Sequence, residues 1–282
     1  MNDKKYAKLE NITAVYDERR NSVSLIGEKG QFSHGFKIRL KRGTPEDVAV
    51  REIIFKNEVD TLANFSGPMF YPENLAPRLH QIPLGKNPDN EEVNWGFGQN
   101  GPSSLLVTGK VGSGKTMLLN HIAEVLNEHY GSYSEIYFFD EKLRAAGESA
   151  KNIEKALANI GKRLNSQEDY SVPTFVLIDE LPYIMNSSEE VRQRLVSMLA
   201  LSRSQNLHFI FAAHSSRQVD DLRKYCQEAV MNTTPPSFDG RYGDCTPAQR
   251  YGMIVSSEET QVFAPYLPQS FKDQWKSERD RY

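Results

Sequence analysis

The sequence predicts an α/β fold in which helices cover both faces of a parallel sheet. Four near-continuous apolar runs of β type follow one another, at Leu105–Val107, Ile136–Phe139, Phe175–Ile178 and Phe209–Ala213. Such runs are typical of strands that are buried on both faces. Helical stretches separate them, at Met117–His129, Ala150–Leu164 and Glu189–Ser202. Strand–helix alternation of this kind indicates a parallel sheet with helices on each side.

Short alternating runs precede this region, and a hairpin follows it. Ser22–Ile26 and Gly35–Leu40 alternate apolar and polar residues, as expected for strands with one solvated face. Thr44, which a proline follows, is typical of the start of a helix. Tyr251–Val255 and Thr260–Phe263 are predicted to form the terminal hairpin.

Domain boundaries are suggested by changes in composition. Residues 67–102 are rich in Pro, Gly and Asn, and we interpret them as a connector that wraps around a domain rather than forming its core. The chain is therefore expected to have three parts. A small α+β or β-rich module covers residues 1–80, the main domain covers 81–268, and a charged tail covers 269–282.

The composition is that of an ordinary globular protein. The chain has 282 residues, of which 39% are hydrophobic and 25% charged, and its net charge is −3. This balance excludes a uniformly basic nucleic-acid coat but not a local basic channel. No apolar run approaches the ~18–20 residues of a membrane span, and the start of the chain resembles no signal peptide. With only two cysteines, we expect a reducing, cytoplasmic location without direct membrane insertion.

A phosphate-binding motif follows the first apolar run. Gly109–Thr116 (GKVGSGKT) fits the Walker A pattern G-x-x-x-x-G-K-[ST] at every position, between a strand and a helix. Lys115 is expected to reach the β- and γ-phosphates, and the hydroxyl of Thr116 to coordinate Mg²⁺. The alternative is a glycine-rich turn that matches by chance. The predicted nucleotide-contacting residues are Gly109, Lys110, Val111, Gly112, Ser113, Gly114, Lys115, Thr116 and Met117.

An acidic pair follows the third apolar run, as in a Walker B motif. Asp179 is expected beside the Mg²⁺ ion, because open α/β sheets bind ligands at the carboxyl ends of their strands. Glu180 suits a general base that polarises the attacking water. The alternative is an acidic loop after an edge strand. Two adjacent acids favour ATP hydrolysis over a small-molecule kinase, so ATP and Mg²⁺ are the predicted cofactors.

The fourth apolar run ends at His214, at the same edge of the predicted sheet. Its side chain could hydrogen-bond the γ-phosphate or the attacking water and so report the nucleotide state. The alternative is a loop histidine that caps the next helix. His208, at the start of the same run, is expected at the opposite edge in a structural role.

These three elements resemble the FtsK/SpoIIIE–HerA superfamily of hexameric ATPase motors. Ile82–Lys86 followed by Ser104–Gly109 is similar to that family's LGKD…HLLVAG, and Thr174–Met185 (TFVLIDELPYIM) to its VVIVDELADLM. Leu201–His214 is similar to its ARAxGIHLVLATQ, although the family usually has Gln where His214 stands. The resemblance covers roughly residues 82–265. It implies a RecA-like P-loop core and an ATP-driven ring, usually a hexamer, that threads a polymer.

The resemblance also implies roles for residues of this chain. Lys115 and Thr116 take the phosphate-loop roles, Asp179 the Mg²⁺ role and Glu180 the role of catalytic base. The segment 140–181 is short compared with that of full-length translocases. This compact layout is closer to that of conjugative-transfer, viral-packaging or type VII secretion relatives.

Basic residues are candidates for two further roles. Ring ATPases commonly supply an arginine across the subunit interface, and the candidates are Arg163, Arg203, Arg192 and Arg194. Polymer phosphates need Lys or Arg contacts in a pore, and the candidates are Lys142, Arg144, Arg217, Arg223 and Lys224. An ordinary charged loop is the alternative in each case.

The sequence therefore predicts an ATP-hydrolysing motor that translocates double-stranded DNA as a ring homo-oligomer. Directional DNA recognition would need a partner protein, and so would a membrane anchor. One alternative is a protein-secretion ATPase of the same superfamily. Another is a nucleotide-dependent regulatory or assembly module that hydrolyses ATP poorly.

Overall fold

A computed structural model describes the chain in segments that form two compact units, Met1–Asn64 and Phe65–Tyr282. The described residues are 4–9, 12–17, 22–27, 36–39, 69–73, 75–97, 103–139, 146–165, 172–187, 189–215, 219–233, 250–255 and 260–272. The division between the units lies earlier than the expected boundary at residue 80. One reason is that Tyr71 is buried in the core of the second unit.

The described part of the first unit is an antiparallel sheet. Its strands are β1 (Lys4–Leu9), β2 (Ile12–Asp17), β3 (Ser22–Gly27) and β4 (Phe36–Arg39), and each pairs with the next. The two strands predicted from alternating patterns correspond to β3 and β4. The predicted helix start at Thr44 lies outside the described residues.

The second unit contains a nine-stranded sheet. Its strands are β5 (Gln81–Lys86), β6 (Glu92–Gly96), β7 (Ser104–Gly109), β8 (Glu135–Phe139), β9 (Thr174–Ile178), β10 (Leu207–Ala213), β11 (Cys226–Thr233), β12 (Arg250–Val255) and β13 (Thr260–Pro265). The order is β6-β5-β13-β12-β11-β7-β10-β9-β8. The run from β11 to β8 is parallel, which confirms the predicted parallel core. The expectation that all four apolar strands are buried on both faces is wrong for β8, which lies at the edge of the sheet and is only half-buried. The remaining pairs are antiparallel and include the predicted hairpin of β12 and β13.

Helices cover both faces of this sheet, as predicted. They are α1 (Lys115–His129), α2 (Ala146–Asn165), α3 (Leu181–Ser187), α4 (Glu189–Leu201) and the short α5 (Asp220–Arg223). Helix α1 packs on one face, where Leu118 and Ile122 join a cluster with Leu105. Helices α2 to α5 cover the other face, where Leu157 and Leu195 join a cluster with Leu106. Among the described residues, no helix has the length and apolar character needed to cross a membrane.

Residues 67–102 are more than the connector that their composition predicted. They contain β5 and β6, whose side chains Ile82, Leu84 and Trp95 are completely buried. The strand β5 was not predicted because it contains Pro83 and Gly85, and both residue types normally weaken strands. A register shift between them accommodates the proline in the pairing of β5 with β6.

The buried histidines have structural roles. The ring of His208 lies in the core, with Nδ1 3.0 Å from the carbonyl oxygen of Ser103, at the edge opposite the phosphate loop, as predicted. His121 Nε2 donates a hydrogen bond of 2.8 Å to the carbonyl oxygen of Pro83. Burial lowers the pKa of each histidine to about 4, so both rings are neutral near pH 7.

Gly85 provides a test of how β5 joins the sheet. A Cβ atom at Gly85 would overlap the backbone carbonyl of Ala264 on β13. We therefore expect Gly85→Ala to lower the free energy of unfolding by about 1–3 kcal/mol, as overpacking does. Gly96→Ala is the control, because the nearest atom to its new Cβ is 3.9 Å away. Equal unfolding free energies for the two variants in chemical denaturation would contradict this packing.

Candidate nucleotide-binding site

The phosphate loop leaves the sheet at the end of β7 and leads directly into α1. Gly109, Gly112 and Gly114 have φ angles of +150°, +79° and +100°, which residues other than glycine rarely adopt. A Cβ atom at Gly109 would also overlap the carbonyl oxygen of Met231 on β11. Glycine is therefore required at these positions by the path of the backbone.

Lys115 lies inside this loop. The residue is 4% exposed, and Nζ donates hydrogen bonds to the carbonyl oxygens of Gly109 (2.9 Å) and Lys110 (3.1 Å). The ammonium group is thus held at the centre of the loop. Lys110 and Val111 are exposed at its tip, and Met117 is half-buried in the first turn of α1.

The loop has the features of an anion-binding site. Helix α1 begins without an acidic side chain in its first turn, and its N-cap Gly114 supplies no side-chain hydrogen bond. Among the described residues, the buried hydroxyl of Ser113 has no hydrogen-bond partner. Helix N-termini bind phosphate through their backbone N–H groups. These residues therefore fit the phosphates of a nucleotide.

Thr116 and Asp179 form the part of the site that fits Mg²⁺. The hydroxyl of Thr116 donates a hydrogen bond of 2.7 Å to Oδ2 of Asp179, which is completely buried. The other carboxylate oxygen accepts a hydrogen bond of 3.1 Å from the backbone N–H of Glu180. Among the described residues, no group of three or more His, Cys, Asp and Glu side chains could hold a metal alone. Mg²⁺ commonly binds one or two carboxylates together with substrate phosphates, and this donor set fits that pattern.

Glu180 and His214 meet beside Lys115. His214 Nε2 lies 3.1 Å from Oε2 of Glu180, and His214 Nδ1 lies 3.4 Å from Nζ of Lys115. The topology explains this meeting, because β10 lies between β7 and β9 and all three strands run in parallel. The structure thus brings together the phosphate loop, the acidic pair and the histidine that the sequence singled out.

Glu180 has an unusual backbone conformation. Its φ angle is +56°, in the left-handed region, immediately after β9 and before α3 begins at Leu181. A residue with a side chain in this region carries strain of about 1–3 kcal/mol, and such strain is commonly found at functional sites.

A carboxylate that the sequence did not single out lies behind the phosphate loop. The hydroxyl of Thr108 donates a hydrogen bond of 3.2 Å to Oε1 of Glu228 on β11. Arg223 on α5 binds the other oxygen, with Nε at 3.0 Å and Nη2 at 2.9 Å. Glu228 was missed because β11 was not predicted, although apolar residues at Ala229 and Met231 hinted at a strand.

The arginine candidates lie at different places. Arg203 is exposed in a 3₁₀ turn before β10, at the sheet edge opposite the phosphate loop, so it does not face its own chain's site. Arg163 belongs to α2, and its side chain is outside the described residues. Arg192 pairs with Asp221, and Arg194 is half-buried on α4. The role of each across a subunit interface stays a prediction.

The candidates for polymer contacts are described only in part. Lys142, Arg144 and Arg217 lie outside the described residues. Arg223 is engaged by Glu228, and Nζ of Lys224 lies 4.9 Å from the ring centroid of Tyr225. A pore-facing role for these residues stays a prediction.

Comparisons with known proteins support the fold. Residues 105–231 match the model of the ATPase family associated with various cellular activities (AAA). The cytoplasmic domain of the type VII secretion ATPase EccC from Thermomonospora curvata has a TM-score of 0.51 at 14% identity. The fold is that of a P-loop ATPase. The predicted resemblance to FtsK/SpoIIIE–HerA motors is therefore confirmed at the level of the fold.

The similarity to the EccC structure covers 74% of this chain but only 32% of that chain. EssC (ATPases 2 and 3) from Geobacillus thermodenitrificans has a TM-score of 0.49 at 13% identity, covering 71% of this chain and 47% of that chain. B204, the DNA-packaging ATPase from Sulfolobus Turreted Icosahedral Virus, has a TM-score of 0.40 at 14% identity, covering 57% and 97%. None of the curated proteins matches the chain in sequence.

The strain at Glu180 can be measured with two substitutions that both remove the carboxylate. We expect Glu180→Gly to be more stable than Glu180→Ala by about 1 kcal/mol, because glycine adopts the left-handed conformation without strain. Ala158→Gly in the middle of α2 is the control. There the glycine form should be the less stable one, by about 1 kcal/mol, because glycine has the lower helix propensity. Chemical denaturation of the three variants and the unmodified protein checks both differences. An alanine variant at position 180 that is as stable as the glycine variant would contradict the observed conformation.

Proposed function

We propose that this P-loop ATPase binds ATP with Mg²⁺ and hydrolyses it. The observation that carries the proposal is the convergence of Lys115, Thr116, Asp179, Glu180 and His214 at the carboxyl edge of three adjacent parallel strands. A chance glycine-rich turn would not be joined to a buried carboxylate by a hydrogen bond of 2.7 Å. Mg²⁺ supplies charge neutralisation on the phosphate oxygens when it is bound.

The side chains of this site divide the work between binding and proton transfer. Lys115 carries the positive charge that a γ-phosphate needs, on the inner side of the loop. Asp179 accepts a hydrogen bond from the Thr116 hydroxyl. This bond fixes the orientation of the two side-chain oxygens that would face Mg²⁺. Glu180 is the general base that accepts a proton from water. His214, between Lys115 and Glu180, is placed to sense whether a γ-phosphate is present.

The free energy of hydrolysis serves to translocate double-stranded DNA, and the active form is a ring homo-oligomer, most simply a hexamer. The support is the sequence resemblance over residues 82–265, together with the P-loop ATPase fold. An arginine from a neighbouring subunit completes the site, with Arg163 and Arg203 as the first candidates. A partner protein provides DNA recognition or a membrane anchor, and the motor acts in the cytoplasm.

A second candidate function is the translocation of protein. The observation that favours it is the shared fold with EccC, which is a type VII secretion ATPase. With a net charge of −3, the chain also lacks the excess of positive charge that DNA-binding proteins often carry. DNA dependence of the ATPase rate separates this candidate from the first.

Steady-state ATP hydrolysis, with and without double-stranded DNA, tests the proposal. We expect DNA to stimulate the unmodified protein several-fold. Lys115→Ala should lower kcat/KM by about 10²–10³, because one charge that stabilises the transition state is lost. Glu180→Gln should lower kcat by about 10²–10⁴ while nucleotide still binds, because the general base is lost.

Lys162→Ala is the matched control for these variants, since Lys162 is exposed on α2 and is not one of the residues that converge at the phosphate loop. Its rate should equal that of the unmodified protein. Hydrolysis that is indifferent to DNA would contradict DNA translocation and favour the secretion motor. Nucleotide binding without hydrolysis would contradict the motor and leave a regulatory module.

A further inference from the structure

Glu228 occupies a position where an apolar residue would be expected. It lies on β11 between two strands of the sheet, paired with Leu106 of β7, which is completely buried. The Glu228 side chain is only 12% exposed. A carboxylate in such a place is unfavourable unless it is paired and hydrogen-bonded. Both of its oxygens have partners, Thr108 for one and Arg223 for the other.

These contacts lead to the phosphate loop through adjacent residues of the chain. Thr108 is 4% exposed and directly precedes Gly109, the first residue of the loop. The carbonyl oxygen of Gly109 accepts a hydrogen bond of 2.9 Å from Nζ of Lys115. A shift of Thr108 toward or away from β11 therefore moves one of the groups that holds the lysine.

Strand β11 also touches the loop through its backbone. Met231 is paired with Gly109, and its carbonyl oxygen fills the space that a side chain at position 109 would need. The backbone pairing sets the distance between β7 and β11. The side-chain bond from Thr108 to Glu228 adds a second, directional constraint on the end of β7.

Arg223 keeps the carboxylate in place. Its Nε and Nη2 atoms both bind Oε2 of Glu228, which leaves Oε1 directed at Thr108. Arg223 itself is anchored by its helix, because Leu222 and Val219 are buried in the core beneath it. The segment that carries Val219, Leu222 and Arg223 lies between His214 and β11 in the sequence. It therefore connects the part of the nucleotide site at His214 with the part beside β11.

We propose that Glu228, oriented by Arg223, is a positioning residue that fixes the start of the phosphate loop through Thr108 and thereby sets nucleotide affinity. This inference rests on the proposed nucleotide site. Glu228 acts through Thr108 at the end of β7, whereas Asp179 and Glu180 follow β9, so its effect falls on binding rather than on proton transfer.

Equilibrium binding of ADP with Mg²⁺, measured by calorimetry well below the unfolding temperature, tests the proposal. Glu228→Ala and Arg223→Ala should each weaken ADP binding by about 5- to 10-fold, the range expected when a charge-assisted hydrogen bond is lost. Thr108→Val, which keeps the shape and loses the hydroxyl, should weaken binding in the same direction. Glu228→Gln retains an acceptor and should bind ADP within about threefold of the unmodified protein.

The chain offers a matched control on the same short helix. Asp221 on α5 pairs with Arg192 on α4, and among the described contacts this ion pair does not reach β7. Asp221→Ala should therefore leave ADP binding unchanged, even if it lowers the unfolding temperature. In ATP hydrolysis, Glu228→Ala should raise KM with kcat unchanged, whereas a purely structural role would lower only the unfolding temperature.

The outcomes separate this inference from the proposed function. ADP affinities within twofold of the unmodified protein for Glu228→Ala, Arg223→Ala and Thr108→Val would overturn the positioning role. Equal losses for Asp221→Ala and Arg223→Ala would also overturn it, because a general effect of α5 would then be measured. An unmodified protein that binds neither ADP nor ATP would instead contradict the nucleotide site itself.

Discussion

The position of β10 between β7 and β9 is the constraint on which the site depends. Three parallel strands end side by side, so the residues that follow them must meet at one edge of the sheet. Lys115 follows the first strand, Glu180 the second and His214 the third, and the observed distances of 3.1 and 3.4 Å result from this order. A different strand order would leave the same residues in the sequence but separate them in space.

The site combines strained, buried and exposed parts. Glu180 is held in a left-handed conformation, and Asp179 is completely buried. Such an arrangement persists only if its surroundings are rigid. Here the rigidity comes from the fully buried strands β9 and β10, and from the contact of β11 with Gly109 at the start of the loop. The supporting strands are therefore part of the functional unit, although they contribute no group to the chemistry.

Much of the core and of the site could be predicted from sequence, because local signals determine them. The phosphate loop has a fixed spacing of glycines, and the apolar runs of β7, β9 and β10 are uninterrupted and buried. The remaining run, in β8, is equally apolar but only half-buried, because β8 lies at the edge of the sheet. Strands β5 and β11 were missed for physical reasons. Pro83 and Gly85 are tolerated in β5 by a shift of register, and β11 carries polar residues such as Glu228 that only their tertiary partners make favourable. Contacts of this kind have no signature in a single sequence.

The most direct test of the account is a crystal structure with Mg²⁺ and a non-hydrolysable ATP analogue. The account predicts that Nζ of Lys115 leaves the carbonyl oxygens of the loop for the phosphates, and that Mg²⁺ binds the hydroxyl of Thr116 beside Asp179. It also predicts that His214 contacts the γ-phosphate or the water next to it. An analogue bound elsewhere, or bound in the loop with Glu180 and His214 remote from the γ-phosphate, would contradict it.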